Sequence, residues 1–211
     1  GDPSTPQLWA ALDSQLNRSF ETEDVRILGV RATAVDSGGH FTNSVYQYCH
    51  KNFNRRIFAI KGVGGEGRAL AGKPTRNNIV KCRVFPIGVD TIKDLVFARL
   101  RIEEPGAGYI SFSDELNEEY FRQLTAEKII TKFVRGFKKR VFTKIRPRNE
   151  GLDCFVYSIA AYSIINVSVN SIADKIQAKL AETKTESVEE DVIKKRPFIQ
   201  KANNGWLNAW R

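Results

Sequence analysis

The chain has 211 residues, is 42% hydrophobic and 27% charged, and carries a formal net charge of +9 with a pI near 9.5. Such a composition builds one soluble core of ordinary size, and its positive excess favours a polyanionic partner, nucleic acid before a membrane surface. Three scattered cysteines (Cys49, Cys82, Cys154) exclude a disulfide framework and a CxxC zinc knuckle and read as reduced thiols, while no apolar run is long enough to span a membrane and no signal peptide opens the chain.

In chain order, residues 5–20 predict an amphipathic helix starting at Thr5 and Pro6, with Leu8, Trp9, Leu12 and Leu16 on one face. Apolar stretches of strand length follow at Ile27–Asp36, Ser44–His50, Arg56–Lys61 and Val80–Asp90, separated by SGGH, KNFN and GVGGEG. Pro86 in the fourth stretch implies a bulge or an edge position. A short helix at Thr91–Leu100, a fifth strand at GYISF and a helix at Asn117–Ile130 come next. Residues 131–148 alternate as a β-hairpin turning near Arg135–Gly136, and 151–169 form the longest apolar helix. Beyond residue 172 the chain becomes a charged tail ending in GWLNAWR, with Trp206 and Trp210. This order predicts an α/β domain, a mixed central sheet with helices on both faces.

Three aspartates end apolar stretches or stand at the mouth of one: Asp36, Asp90 and Asp153. Carboxylates gathered from separate elements are what Mg²⁺ or Mn²⁺ needs for phosphodiester chemistry. Each also has a plainer reading. Asp36 precedes Ser37–Gly38–Gly39, where an Asx turn is common. Asp90 precedes a helix it would cap, and Thr91 to Asp94 has capping-box spacing. Glu150 and Asp153 share the first turn of an apolar helix that Asn149 would cap, where the helix dipole favours acids whatever they do. Asp153 leads straight into FVYSIAAYSII, a costly place for an unpaired carboxylate. Lys93 on the first helical turn has the reach for a phosphate, against the plainer reading of a surface lysine.

Two near-motifs are set aside. Gly67–Lys73 falls one residue short of a P-loop, with Pro74 where the metal-binding hydroxyl belongs and no apolar helix behind it, so nucleotide binding is not expected. Asp90–Lys93 misses the spacing of restriction-type nucleases by one residue. His40 and His50 make no zinc set.

From Lys128 to Arg148 the chain has nine Lys or Arg and no acid, interleaved with Phe133, Phe137 and Phe142. A solvated face is the plain reading. The lack of balancing acids favours a hairpin that grips the phosphate backbone through Lys138, Lys139, Arg140, Lys144, Arg146 and Arg148, its phenylalanines packed beneath.

The blocks AVDSGGHFTNSVYQYCH, RRIFAIKGVGG, IGVDTIKD, YFRQLTAEKII and above all RNEGLDCFVYSIAA resemble the C-terminal nuclease domain of the large terminase subunit of lambda-type tailed phages, over roughly residues 25–165. The resemblance implies a ribonuclease H-like fold and two-metal cleavage of double-stranded DNA, with Asp36, Asp90 and Asp153 binding two Mg²⁺ or Mn²⁺ ions and Glu150 and Lys93 as secondary candidates. It implies an ATPase motor domain ahead of this segment, which the missing Met and opening Gly lead us to expect has been cut away. The implied partition is a helix and linker at 1–24, the nuclease at 25–171 and a tail at 172–211. The implied setting is the host cytoplasm at the procapsid, with the small terminase subunit choosing the site and the tail a candidate for docking on the portal. A non-catalytic DNA- or portal-docking module is the competing expectation.

Overall fold

Pro6 occupies a position where its missing N–H costs nothing, and α1 (Pro6–Leu16) starts there. The computed structural model describes residues 1–22, 27–134, 136–168, 170–171, 173–174 and 176–178. Two compact units divide the chain, Gly1–Asn166 and Val167–Arg211. Most of the second, including Trp206 and Trp210, lies outside the described residues, and the expectations for the tail lie there with it.

After α1, β1 (Ser19–Glu21) pairs antiparallel with β2 (Ile27–Gly29) as a small exposed ladder. The central sheet contains β3 (Thr33–Asp36), β4 (Ile57–Val63), β5 (Thr75–Arg76) and β6 (Arg83–Gly88) in the order β3-β4-β6-β5. β3, β4 and β6 run parallel, and β5 is antiparallel to β6. α2 (Thr42–Lys51) crosses between β3 and β4. α3 (Val89–Arg99) leaves β6 directly, and α4 (Glu118–Leu124) follows, with the Asn117 side chain accepting from the Tyr120 N–H at 3.0 Å. A separate ribbon, β7 (Glu127–Val134) and β8 (Phe137–Lys144), precedes α5 (Glu150–Ile165). The expected mixed α/β architecture is therefore present.

Both faces of the sheet are covered, so Ile57, Phe58, Ala59 and Ile60 are buried in succession, as interior parallel strands require. Ile57, Ala59 and Val84 face Val45, Tyr48 and Cys49 of α2. Ile60 and Ile87 face Ile92 and Val96 of α3, Leu124 of α4, and Leu152, Val156 and Ala160 of α5. Trp9 stacks on Tyr48 with ring centroids 4.3 Å apart, and Asp13 accepts from both Tyr48 Oη at 2.8 Å and Arg55 Nη1 at 2.6 Å. The helix expected at residues 5–20 is thus present as α1 and packs onto α2.

Several predicted elements change. Ser44–His50 is helix, not strand, because Val45, Tyr48 and Cys49 stand at i, i+3 and i+4 and bury one stripe. Ile27–Asp36 is two strands in two sheets, broken around residues 30–32. The fourth strand stops at Gly88, and Val89 and Asp90 already belong to α3. Pro86 sits in a strand flanked on both sides: β5 reaches only Val84 and Arg83, and beyond it residues 69–72 take over, with the Gly72 N–H donating to the Pro86 carbonyl at 2.8 Å and Ala71 bridging Ile87, so the expected edge position is not found. GYISF forms no strand; its Phe112 packs edge-on against Tyr120 and Phe121 instead. The helix expected to reach Ile130 ends at Leu124, and the chain is extended from Glu127. The apolar helix predicted to 169 stops at Ile165, with Asn166 left-handed at φ 43°.

Replacing Trp9 with Ala is expected to destabilise the first unit by about 1–3 kcal/mol, through lost apolar area and the lost stack on Tyr48. Urea denaturation checks this, and an unchanged midpoint would mean that α1 contributes nothing to the folded unit.

Candidate active site

Parallel strands deliver their carboxyl ends to one edge of the sheet, and crevices for ligands form outside such ends. Asp36 is the last residue of β3, and Asp90 lies two residues past the end of β6. β4 separates these strands, so ordinary strand spacing puts their ends roughly 10 Å apart.

Asp36 makes the predicted Asx turn, its Oδ1 accepting from the Gly38 N–H at 2.9 Å. A Cβ at Gly38 would stand 3.2 Å from that oxygen, so glycine permits the approach. The other oxygen, Oδ2, accepts from Tyr157 Oη at 3.2 Å. Tyr157 is one turn beyond Asp153 on α5, so this contact brings β3's terminal acid to the helix face that bears Asp153. Burial pushes the Tyr157 hydroxyl well above the ordinary phenol range, and the charges of Asp36 and Asp153 add to the shift, keeping it a neutral donor.

Asp153 is half-buried, with Lys93 Nζ 4.0 Å from its Oδ1. Burial raises its carboxyl above the ordinary aspartate range; Lys93 pulls it back, while Glu127 and Asp36 push further up. Lys93 is buried, correcting the surface-lysine reading, and donates to both Glu127 oxygens at 2.8 and 2.7 Å. Glu127 also accepts from Asn149 Nδ2 at 2.8 Å. Asn149 occupies the N-cap position of α5, yet its side chain makes no capping bond and serves Glu127 instead.

Asp90 does not cap α3. The helix has Gly88 at its N-cap with no side-chain cap bond, and Asp90 Oδ2 accepts from the Gly65 N–H in the loop after β4 at 2.6 Å. The capping box at Thr91–Asp94 is also absent, because Asp94 accepts from Arg140 Nη2 at 3.1 Å. Glu150 lies on the solvent side, 3.3 Å from Arg148 Nε, and its own backbone N–H holds its carboxyl below the usual range, with Arg148 adding to this. The near-P-loop at Gly67–Lys73 runs into β5 rather than a helix, leaving no helix N-terminus for phosphate.

The hairpin turns where the alternation predicts, with Val134 opposite Phe137 and Gly136 at φ 81°. Lys138, Lys139, Lys144 and Arg146 are exposed on it or just after it, whereas Arg140 is tied to Asp94 and to Glu66 at 3.7 Å. Phe142 packs on Phe97 at 5.9 Å, as expected. Phe133 and Phe137 do not pack beneath; they are 70% and 79% exposed.

A profile described as "Terminase large subunit gpA, endonuclease domain" matches residues 1–176. The chain belongs to this family. It is 31% identical to the "Terminase, large subunit" of Escherichia phage lambda over 162 residues, 72% of this chain and 25% of that protein. It is 27% identical to the "Terminase, large subunit" of Enterobacteria phage P21 over 177 residues, 80% of this chain and 27% of that protein. The chain therefore spans about a quarter of the length of these relatives. No solved structure gives a significant match. The matched span takes in α1, the three aspartates and the hairpin of this terminase domain.

Glu127, Asn149 and Tyr157 are the site residues that the sequence reading missed. Glu127 is the last acid before the cationic run, hidden by the helix drawn across it, and Tyr157 was legible as the i+4 neighbour of Asp153.

Two outcomes follow. Lys93→Ala leaves Glu127 buried without its partner and is expected to cost about 3–5 kcal/mol, much of which the double change Lys93→Met with Glu127→Leu recovers; chemical denaturation measures both. For Asp153 the folded pKa is raised, so ionisation penalises the fold, fully above the folded value and not at all below the unfolded value. Asp153→Asn should therefore raise the Tm of metal-free protein at pH 7, by no more than about 4 °C, with no gain below about pH 3. An unchanged or lower Tm at pH 7 would contradict this balance.

Proposed function

We propose that this domain is a divalent-metal-dependent endonuclease that cleaves double-stranded DNA, within a terminase large subunit that processes concatemeric phage DNA during packaging. The observation that carries this reading is the Tyr157–Asp36 hydrogen bond, which joins the acid ending β3 to the helix face that bears Asp153. Asp90 stands at the same edge of the sheet.

The donor set fits a hard cation, because Asp36, Asp90 and Asp153 offer only oxygens. The raised carboxyl of Asp153, pushed by burial and by acidic neighbours, is what a nearby cation would relieve. Among the described residues no three acidic, His or Cys side chains stand close enough to hold one ion together. On this reading Asp36, Asp90 and Asp153 would hold two Mg²⁺ or Mn²⁺ ions. Bound there, the ions would polarise the phosphodiester, lower the pKa of water and stabilise the leaving oxygen.

The chain's own residues do the positioning. Tyr157 orients Asp36, and Gly65 orients Asp90. Lys93 holds Asp153 from beneath rather than gripping phosphate, since its ammonium is engaged by Glu127. Lys138, Lys139, Lys144 and Arg146 supply a phosphate grip without sequence readout. Site choice then falls to the small terminase subunit, and an ATPase motor and portal complete the machine. The ribonuclease H-like relation rests on the resemblance, supported by a mixed sheet with two acids at its carboxyl edge and a third on the last helix.

The lack of a preassembled three-acid cluster among the described residues favours the second reading, a non-catalytic DNA- or portal-docking module. Plasmid nicking in Mg²⁺, Mn²⁺, Ca²⁺ and EDTA separates the two. We expect cleavage in Mg²⁺ or Mn²⁺, none in EDTA, and a loss of more than about 100-fold in Asp36→Asn and in Asp153→Asn with DNA binding retained. DNA bound but uncut in every metal would favour the docking module.

A further inference from the structure

The hairpin is anchored at one end and bare at the other. At its base Glu127 is buried against Lys93, farther along Phe142 stacks on Phe97, and midway to the turn Arg140 is held by Asp94. At the tip Phe133 is opposite Lys138, Lys132 is opposite Lys139, and Val134 is opposite Phe137. Alternation puts Phe133 and Lys138 on one face of the ribbon and Phe137, Lys132 and Lys139 on the other. Both rings are exposed, and two lysines stand directly across from each other, an arrangement that destabilises an isolated ladder. Two local rules are broken at one place, which is what functional sites do.

An anionic ligand relieves the lysines, and a planar one covers the rings. DNA is both. Aromatic side chains stack on unpaired bases without regard to sequence, and apolar wedges enter base steps that are partly unstacked. We propose that the hairpin tip inserts Phe133 and Phe137 against unstacked bases of duplex DNA while Lys132, Lys138 and Lys139 hold the adjoining phosphates. This inference rests on the nuclease reading and adds to it a second, base-contacting site. Seven residue steps separate Glu127, beside the acids, from Val134 at the turn. At strand rise that is roughly 24 Å, so the distortion lies at most roughly 7 base pairs from the cut.

The test uses the full chain on short duplex DNA in EDTA, reading thymine reactivity to permanganate at saturating protein, with fluorescence anisotropy for binding. We expect reactive thymines within that distance of the cleavage position mapped separately in Mg²⁺. Phe133→Ala with Phe137→Ala should abolish them and weaken binding about fivefold or more, while the salt dependence keeps its slope because the lysines remain. Phe133→Trp with Phe137→Trp should restore both. Because both rings are exposed, the thermal midpoint should not move. Bound DNA without reactive thymines, or reactivity unchanged in the alanine variant, would overturn the inference. A dimer that becomes monomeric on the alanine changes would assign the tip to a second copy and overturn it too. Metal-dependent cleavage with no unstacking would leave the nuclease reading standing and remove this inference alone. No binding to DNA by the unaltered chain would remove both.

Discussion

An ammonium group withdrawn from water must be matched at close range or the fold loses several kcal/mol, and Lys93 is such a group. Its match is Glu127, at 2.8 and 2.7 Å, so α3 is tied to the first residue of the hairpin. Asn149 reaches the same carboxylate, which ties in the start of α5. Asp153 lies 4.0 Å from the same ammonium, one turn into α5. One buried charge therefore sets how three separate elements meet, and those elements carry Asp90, the basic ribbon and Asp153. Were the pair replaced by apolar groups of equal volume, the elements could still pack, but Asp153 would lose the ammonium that stands 4.0 Å from it.

The sheet supplies the other half of the arrangement. Three parallel strands send their chain ends to one edge, and helices cover both faces, α2 on one and α3, α4 and α5 on the other. The buried run Ile57–Ile60 in β4 follows from that cover. Asp36 and Asp90 then arrive at the same edge because their strands run the same way, and Tyr157 links that edge to α5. Burial, with repulsion from Glu127 and Asp36 added to it, leaves Asp153 raised in pKa, where a cation would lower it again.

The hairpin shows the same division between anchored and free. Its base is held by ion pairs and a ring stack, so its direction relative to the acids is set by α3. Its tip carries lysines and rings with no core to serve.

Composition, periodicity and the quoted motifs were enough for the α/β class, the family, a hairpin that turns between Val134 and Phe137 and the Asx turn at Asp36, and they nominated the three aspartates. These are local or compositional properties, written in turn residues, alternation and charge. The strand drawn through Ser44–His50 failed because aromatic and β-branched residues favour strands locally, while the i, i+3, i+4 stripe of Val45, Tyr48 and Cys49 pays off only against a sheet face. Glu127, Asn149 and the burial of Lys93 were invisible because each depends on a partner from a distant segment, 34 residues away for Lys93 and Glu127 and 22 for Asn149 and Glu127. Tyr157 and Asp36 are 121 residues apart. The sequence by itself determined which residue types were on offer and where the chain turns; the tertiary structure decided which charges are buried together, because desolvation and pairing depend on distance in space and not along the chain.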